Sequence, residues 1–368
     1  MFTFVTDNVS KISYYHQIMK SSFRIYNILR PFGWLYGLIT GIRNRLYDLG
    51  ILKTTGFQTP VISIGNISVG GTGKTPHTEY IASVLKDRYK TAVLSRGYGR
   101  HTKGFFVSDN RSDSGLIGDE PLQIKTKYPD LDVAVCEDRV MGIRRLSEIC
   151  SPDVILLDDA YQHRSVTPSL NILLINSNRN IMHDAMLPAG RLRESARGRS
   201  RADIIIVSKC PDGLTDDIMD SIARDLKMRP EQQVYFTSAE YGGLYPLDGV
   251  SAPPSSDCPV LAVTGIADPA PLQAELQSGH SMISMLNYPD HHEFTRRDMD
   301  KIEERLKEMP SGTVIVTTAK DAARLSGMEL KPELACRIFI LPVRVKFLRH
   351  AERFNQQILQ HVQSFKKQ

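Results

Sequence analysis

From Pro60 onward the chain alternates short apolar runs with segments of helical period. The runs "PVISIG" (60–65), "TAVLS" (91–95), "LDVAVC" (131–136), "DVILLD" (153–158), "LNILLI" (170–175) and "DIIIVS" (203–208) are almost unbroken by polar residues. Such runs suit strands buried on both faces, as in a parallel sheet covered by helices. Helices are expected from about Thr75 to Arg88 and from about Arg139 to Ile149. The alternation predicts an α/β fold. Near 230–258 strand-like pieces give way to a loop rich in Gly, Pro and Ser, which reads as a boundary. A smaller α/β unit is expected beyond it, with strands at 259–265, 312–318 and 337–342 and a helix from about Thr295 to Met309. Phe347, Ala351, Phe354, Ile358, Val362 and Phe365 then recur at three- and four-residue steps, the pattern of an amphipathic helix.

The region before Pro60 follows neither pattern. "PFGWLYGLITGI" gathers Trp34, Leu35, Tyr36, Leu38, Ile39 and Ile42, bordered by Arg24, Arg30, Arg43 and Arg45. An apolar, aromatic stretch with arginine borders can lie in a membrane interface; it can equally be a first helix packed on the body of the protein. It is too short and too interrupted to read as a spanning helix. No secretory signal is expected at the start of the chain.

Composition narrows the class. The length of 368 residues is comfortable for two domains, at ~100–200 residues each. Its 46 basic and 41 acidic residues leave a net charge of +5, too small to argue for nucleic acid. No aromatic RNA-stacking motif or helix-turn-helix signature accompanies that charge, so no nucleic-acid partner is expected. The five cysteines are widely spaced with no C-x-x-C, which argues against a zinc site or a disulfide framework and for a reducing compartment.

The chemistry starts at "NISVGGTGKTPHTEY" (66–80). A strand followed by a glycine-rich loop and a helix is the setting of a phosphate loop. Gly70, Gly71 and Gly73 let backbone amides approach a polyphosphate, and Ser68, Val69 and Thr72 complete the loop. Lys74 would reach the β- and γ-phosphates of ATP, and Thr75 would bind Mg²⁺. Ser68 stands where the usual pattern has its first glycine, and Pro76 falls in the first helical turn, where a missing amide is tolerated. Asp158 and Asp159 end a buried strand, where carboxylates can hold Mg²⁺ or cap a turn. In "GDEP", Asp119 and Glu120 open a helix; Asp119 can be an N-cap, and can also take a proton from a hydroxyl nucleophile. In "YPDHHEFT", one of His291 and His292 is expected to bond a carboxylate across the domain cleft rather than a metal. Arg191, Arg193, Arg197, Arg199 and Arg201 form a cluster suited to phosphate groups, or a solvated basic face.

Taken in order, "IGNISVGGTGKTP", "LSRGYGR", "GDEP", "EDR", "LLDDAYQH", "LPAGRLRE", "VTGIADP", "DHHEF" and "TTAKDAARL" resemble the tetraacyldisaccharide 4'-kinase family, the lipid A disaccharide kinases of Gram-negative bacteria. The resemblance runs from about Arg30 to about Phe347. It implies transfer of the ATP γ-phosphate to the 4'-hydroxyl of a membrane-held acylated glucosamine disaccharide. It further implies Asp119 as general base, supported by His291, with Lys74 and Thr75 in the loop roles. Asp158, Asp159 and Glu120 fall at the acidic positions near Mg²⁺. Tyr98, Arg139, Gln162, His163, Arg193 and Glu194 fall in motifs lining the family's cleft and are assigned to substrate or nucleotide contact.

The expected organisation is therefore a P-loop NTPase-like α/β/α domain with a second, smaller α/β domain. Residues 1–52 would form an N-terminal extension and membrane-interface helix, 53–240 the kinase domain, and 241–368 the smaller domain, its last helix able to pack back on the first. The expected setting is the cytoplasmic face of a bacterial inner membrane, with an acylated disaccharide lipid as partner and no obligate protein partner inferred. The alternative is a P-loop ATPase switch of the partitioning type, against which Val69 stands where such loops carry a second lysine.

Overall fold

The computed structural model describes residues 27–109, 111–255 and 257–365. Residues 1–26 of the expected N-terminal extension, Arg24 among them, lie outside the described residues. The described chain divides into two compact units, one drawn from residues 27–91, 152–239 and 345–365, the other from Ala92–Ser151 and Glu240–Arg344.

In the first unit the sheet runs Val343–Phe347, Gln233–Tyr241, Ile204–Ser208, Leu170–Asn176, Val61–Asn66, Val154–Asp158. Val61–Asn66 pairs in parallel with the strands on either side, as does Ile204–Ser208. Every residue of Val61–Asn66, Val154–Asp158, Leu170–Asn176 and Ile204–Ser208 is buried. Burial on both faces is what their unbroken apolar runs require. Beyond Asn66 the chain enters the glycine loop and then the helix Lys74–Leu85. At Gly65 a Cβ would stand 2.8 Å from Tyr161, so only glycine lets the segment after Asp158 pass this close.

The amphipathic period near the C-terminus becomes the helix Ala351–Phe365, which packs on Lys74–Leu85. Phe354 is fully buried, with ring centroids 4.7 Å from Phe347 and 5.0 Å from Tyr235. The Tyr80 hydroxyl donates to Asn355 Oδ1 at 3.0 Å.

The second unit holds the parallel pair Thr91–Ser95 and Asp132–Val135, with Phe106–Val107 antiparallel on the latter. It also holds a five-stranded sheet in the order Ile283–Asn287, Val260–Thr264, Val314–Thr318, Ile338–Leu341, Tyr245–Pro246. The helix Asp119–Lys127 packs against Ala319–Leu325, with Leu122 and Ala323 in one buried cluster with Ile117 and Val135. Ile283–Asn287 was not expected from the pattern. It is an edge strand with only half-buried side chains and an exposed Asn287, so it carries no continuous apolar run. The helices Asp216–Asp225 and Ala270–Gly279 were likewise not read from the pattern.

Phe354→Ala should destabilise the protein by about 3–5 kcal/mol, the usual cost of truncating a buried aromatic. The measurement is the shift of the urea midpoint at constant m-value.

Candidate functional site

The glycine loop is held from outside by side chains. Arg179 Nη1 donates to the Val69 carbonyl at 2.9 Å, Asn176 Nδ2 to Gly71 at 3.4 Å, and Ser208 Oγ to Thr72 at 2.8 Å. His77 Nδ1 lies 2.7 Å from the Gly73 carbonyl. Gly70 and Gly73 adopt φ of 96° and 78°, which favours glycine, and at Gly70 a Cβ would also meet Arg179 at 2.6 Å. Ser68 and Thr75 are buried, and Asn66 Nδ2 donates to Thr72 Oγ1 at 2.8 Å.

Beside the loop, Asp158 is fully buried and accepts from Thr78 Oγ1 at 3.0 Å. The register sets Ile64 opposite Asp158, so this carboxylate stands next to the strand that feeds the loop. Asp159 pairs with Lys74 Nζ at 3.7 Å and Arg193 Nη1 at 3.4 Å. Among the described residues no cluster of three or more His, Cys, Asp or Glu forms a metal cage. A nucleotide's Mg²⁺ does not need one. It takes one or two protein oxygens together with phosphate oxygens and water. The Thr75 hydroxyl and the Asp158 and Asp159 carboxylates are hard oxygen donors of that kind and fit the ion. Glu120, also expected near Mg²⁺, lies in the other unit.

Gln162 and Glu194 belong to a polar network behind the loop. Gln162 Nε2 donates to the Asn66 carbonyl at 2.6 Å and to Glu194 Oε1 at 3.1 Å. Glu194 is buried and also accepts from Arg201 at 2.8 Å and Asn44 at 3.2 Å. His163 is half-buried, its amide bonded to the Ala160 carbonyl at 2.8 Å.

The second unit builds a separate constellation around Asp119. Gly118, at φ 87°, occupies the N-cap, and Asp119 is the first helical residue. The carboxylate is therefore free of capping and turns to other groups. Its Oδ2 accepts from Arg324 Nη2 at 2.6 Å and Nε at 2.9 Å, and lies 3.3 Å from His291 Nδ1. Lys320 Nζ stands 3.2 Å from His291 Nε2. Arg324 Nη2 in turn stands 3.4 Å from His291 Nδ1, so a cationic donor faces each ring nitrogen. Of the two candidate histidines, His291 is the one beside Asp119; His292 bonds Asp298 at 3.0 Å and stacks on Tyr288. Tyr98 is exposed, its ring edge-on to His291 at 5.3 Å. Arg139 is buried, its guanidinium donating to the Cys136 carbonyl.

Arg324 and Lys320 were not singled out in the sequence. Both lie in "TTAKDAARL", and their spacing of four is the available signal, since it sets them on one helical face. Arg324 is almost fully buried and also bonds Asp321 at 2.7 Å. Asp321 in turn accepts from Thr264, Gly265 and Thr318.

The LpxK family model, tetraacyldisaccharide-1-P 4'-kinase, matches residues 25–363. This chain belongs to that family. It is 46% identical to the tetraacyldisaccharide 4'-kinase of Phocaeicola vulgatus, over 91% of this chain and 94% of that protein. Identity to the enzyme of the same name from Bacteroides thetaiotaomicron is 44%, over 92% and 94%. Its structure resembles LpxK from Aquifex aeolicus, described as an "apo" form in complex with ATP. The TM-score is 0.73 and the identity 31%, over 92% of this chain and 99% of that one. The P-loop α/β fold, the kinase class, the use of ATP and the place in lipid A biosynthesis expected from the sequence accord with LpxK membership. The switch ATPase alternative does not.

Arg324→Met should lower kcat about 10–100-fold with little change in KM for ATP, because it frees the Asp119 carboxylate to move. Arg324→Lys should recover part of the loss; steady-state kinetics read both. A second outcome concerns pH. Burial pushes the His77 imidazole down from 6.5 to about 4, against the Gly73 carbonyl, which favours the protonated ring. The unfolded chain takes up this proton near 6.5 and the folded chain only near 4, so stability is full above that window and falls as pH drops through it. Between pH 7.5 and pH 4.5 the urea midpoint of wild type should therefore fall further than that of His77→Gln, whose side chain does not titrate.

Proposed function

We propose that this chain transfers the γ-phosphate of ATP to the 4'-hydroxyl of an acylated glucosamine disaccharide 1-phosphate, a lipid A precursor, at the cytoplasmic face of an inner membrane. The observation that carries the reading is the Asp119 carboxylate held by Arg324 and His291, in an LpxK-family chain with an intact phosphate loop. The loop amides and Lys74 bind the β- and γ-phosphates, with Ser68 at the loop entry. Thr75 and the Asp158–Asp159 pair would hold Mg²⁺, with Glu120 as a further candidate, and the ion would supply neutralisation of phosphate charge. Asp119 accepts the proton of the acceptor hydroxyl as its oxygen bonds the γ-phosphorus, and the bond to the β-phosphate oxygen breaks to release ADP. His291, 3.3 Å from the carboxylate, orients Asp119. Tyr98, His163 and Arg193 contact substrate, whereas the buried Arg139 and Glu194 and the half-buried Gln162 act by holding the backbone around them.

The membrane part rests on the helix Arg30–Asp48. Phe32, Trp34, Leu35, Leu38, Ile39 and Ile42 are exposed, Trp34 at 73%. No helix among the described residues is long and apolar enough to cross a membrane. An exposed aromatic and aliphatic face with arginines at its end suits the headgroup boundary, where a lipid substrate presents its sugar.

Phosphate transfer from ATP to the acylated disaccharide in detergent tests the activity. Asp119→Ala should lower kcat about 10²–10⁴-fold, the usual contribution of a general base, with KM for ATP changed little. A loss carried by ATP binding alone would remove Asp119 from the base role. Replacing Trp34, Leu38 and Ile42 by Ser should release the protein from vesicles containing anionic lipid while activity on detergent-solubilised substrate persists. Unchanged vesicle binding would overturn the interfacial reading.

A further inference from the structure

His77 is a buried imidazole that the phosphoryl transfer does not use. It lies one turn into the helix that follows the loop, and both its backbone amide and Nδ1 reach the Gly73 carbonyl, at 3.2 and 2.7 Å. A carbonyl only accepts, so Nδ1 carries the proton and Nε2 is bare. Nε2 then accepts from Thr237 Oγ1 at 3.0 Å, and Thr237 is fully buried in the strand Gln233–Tyr241. Burial disfavours a charge on this ring.

The neighbouring strands do the same for the preceding residues. Ser208 ends Ile204–Ser208 and holds the Thr72 carbonyl; Asn176 ends Leu170–Asn176 and holds Gly71; Arg179 holds Val69. Asn176 and Ser208 are register partners, so the holding groups come from strand ends lying side by side. In a planar trans peptide the C=O of one residue and the N–H of the next point in opposite directions. Holding the carbonyls of Val69, Gly71, Thr72 and Gly73 therefore turns the amides of Gly70, Thr72, Gly73 and Lys74 the other way, where an anion can meet them.

We propose that His77 is a positioning residue for ATP: with Ser208, Asn176 and Arg179 it clamps the loop carbonyls, so that the amides face the phosphates before the nucleotide arrives. The proposal rests on the loop being the ATP site.

Kinetics of the full chain test it, with ATP varied at saturating acylated disaccharide in detergent. His77→Leu should raise KM for ATP about tenfold, the scale of one buried hydrogen bond, with kcat within about threefold. His77→Gln, whose amide offers both a donor and an acceptor, should stay within about threefold of wild type. Should His77→Leu fail to fold, Thr237→Val and Ser208→Ala remove the next contacts and should each raise KM for ATP about 3–10-fold. ¹⁵N spectra of histidine-labelled protein should show His77 protonated at Nδ1 and bare at Nε2 from pH 6 to 8. An unchanged KM for ATP in the folded variants, equal damage by Leu and Gln at 77, or the opposite tautomer would overturn the clamp. A wild-type chain without saturable ATP dependence would instead overturn the ATP reading on which it rests.

Discussion

The peptide group has two polar ends, and a loop that offers its amides to an anion must satisfy its carbonyls elsewhere. That requirement organises the first unit. The loop lies beyond the end of a strand buried on both faces; Asn176 and Ser208, at the ends of two further strands, hold its carbonyls, and Thr237, within Gln233–Tyr241, holds His77. The positive φ of Gly70 and Gly73 supplies the remaining freedom. Lys74 and Arg193 then bracket Asp159, so the carboxylate beside the loop is paired with two cations.

In the second unit the same logic applies to charge. A guanidinium out of water is tolerated when paired and hydrogen-bonded on its several edges. Arg324 meets this by bonding Asp321 and the Gly265 carbonyl on one side and Asp119 on the other. Asp321 is itself fully buried and satisfied by Thr264, Gly265 and Thr318. The arrangement locks the start of Asp119–Lys127 to Ala319–Leu325 and leaves Asp119 one orientation. His291 reaches it from a backbone at φ 60°, an uncommon conformation for histidine. Asp290 holds its amide at 3.1 Å and Lys320 faces its ring, so neighbouring contacts sustain the strain.

The helix Arg30–Asp48 shows how one element serves two solvents. Its apolar face is left outward, while Gly33 lets the backbone approach Met186 and Ala189 closely. At its C-terminal end Arg164 bonds the Asn44 carbonyl and Asp48, Arg43 bonds the Gln162 carbonyl, and Asn44 bonds Glu194. The motif residues Gln162 and Glu194 therefore join this helix to Asn66 at the loop's entry.

Much of the fold was legible because its signals are local. An unbroken apolar run needs cover on both faces wherever it lies, GGTGKT after such a run needs a helix behind it, and the period of Phe354, Ile358 and Val362 needs a partner surface. Those physical demands belong to the residues themselves, and with the ordered motifs they were enough to indicate the family. What covers each surface, and which groups meet, depended on contacts between distant residues. Asp119 and Arg324 are 205 positions apart, and Asp119 and His291 are 172 apart. Nothing local in Ile283–Asn287 marked an edge strand, and nothing in "TPHTEY" marked His77 as a loop support. The choice of His291 over His292 had the same origin. Both stand in the same loop, but only the folded chain brings Asp119 to one and Asp298 to the other, because a hydrogen bond is decided by a few tenths of an ångström that sequence spacing does not encode.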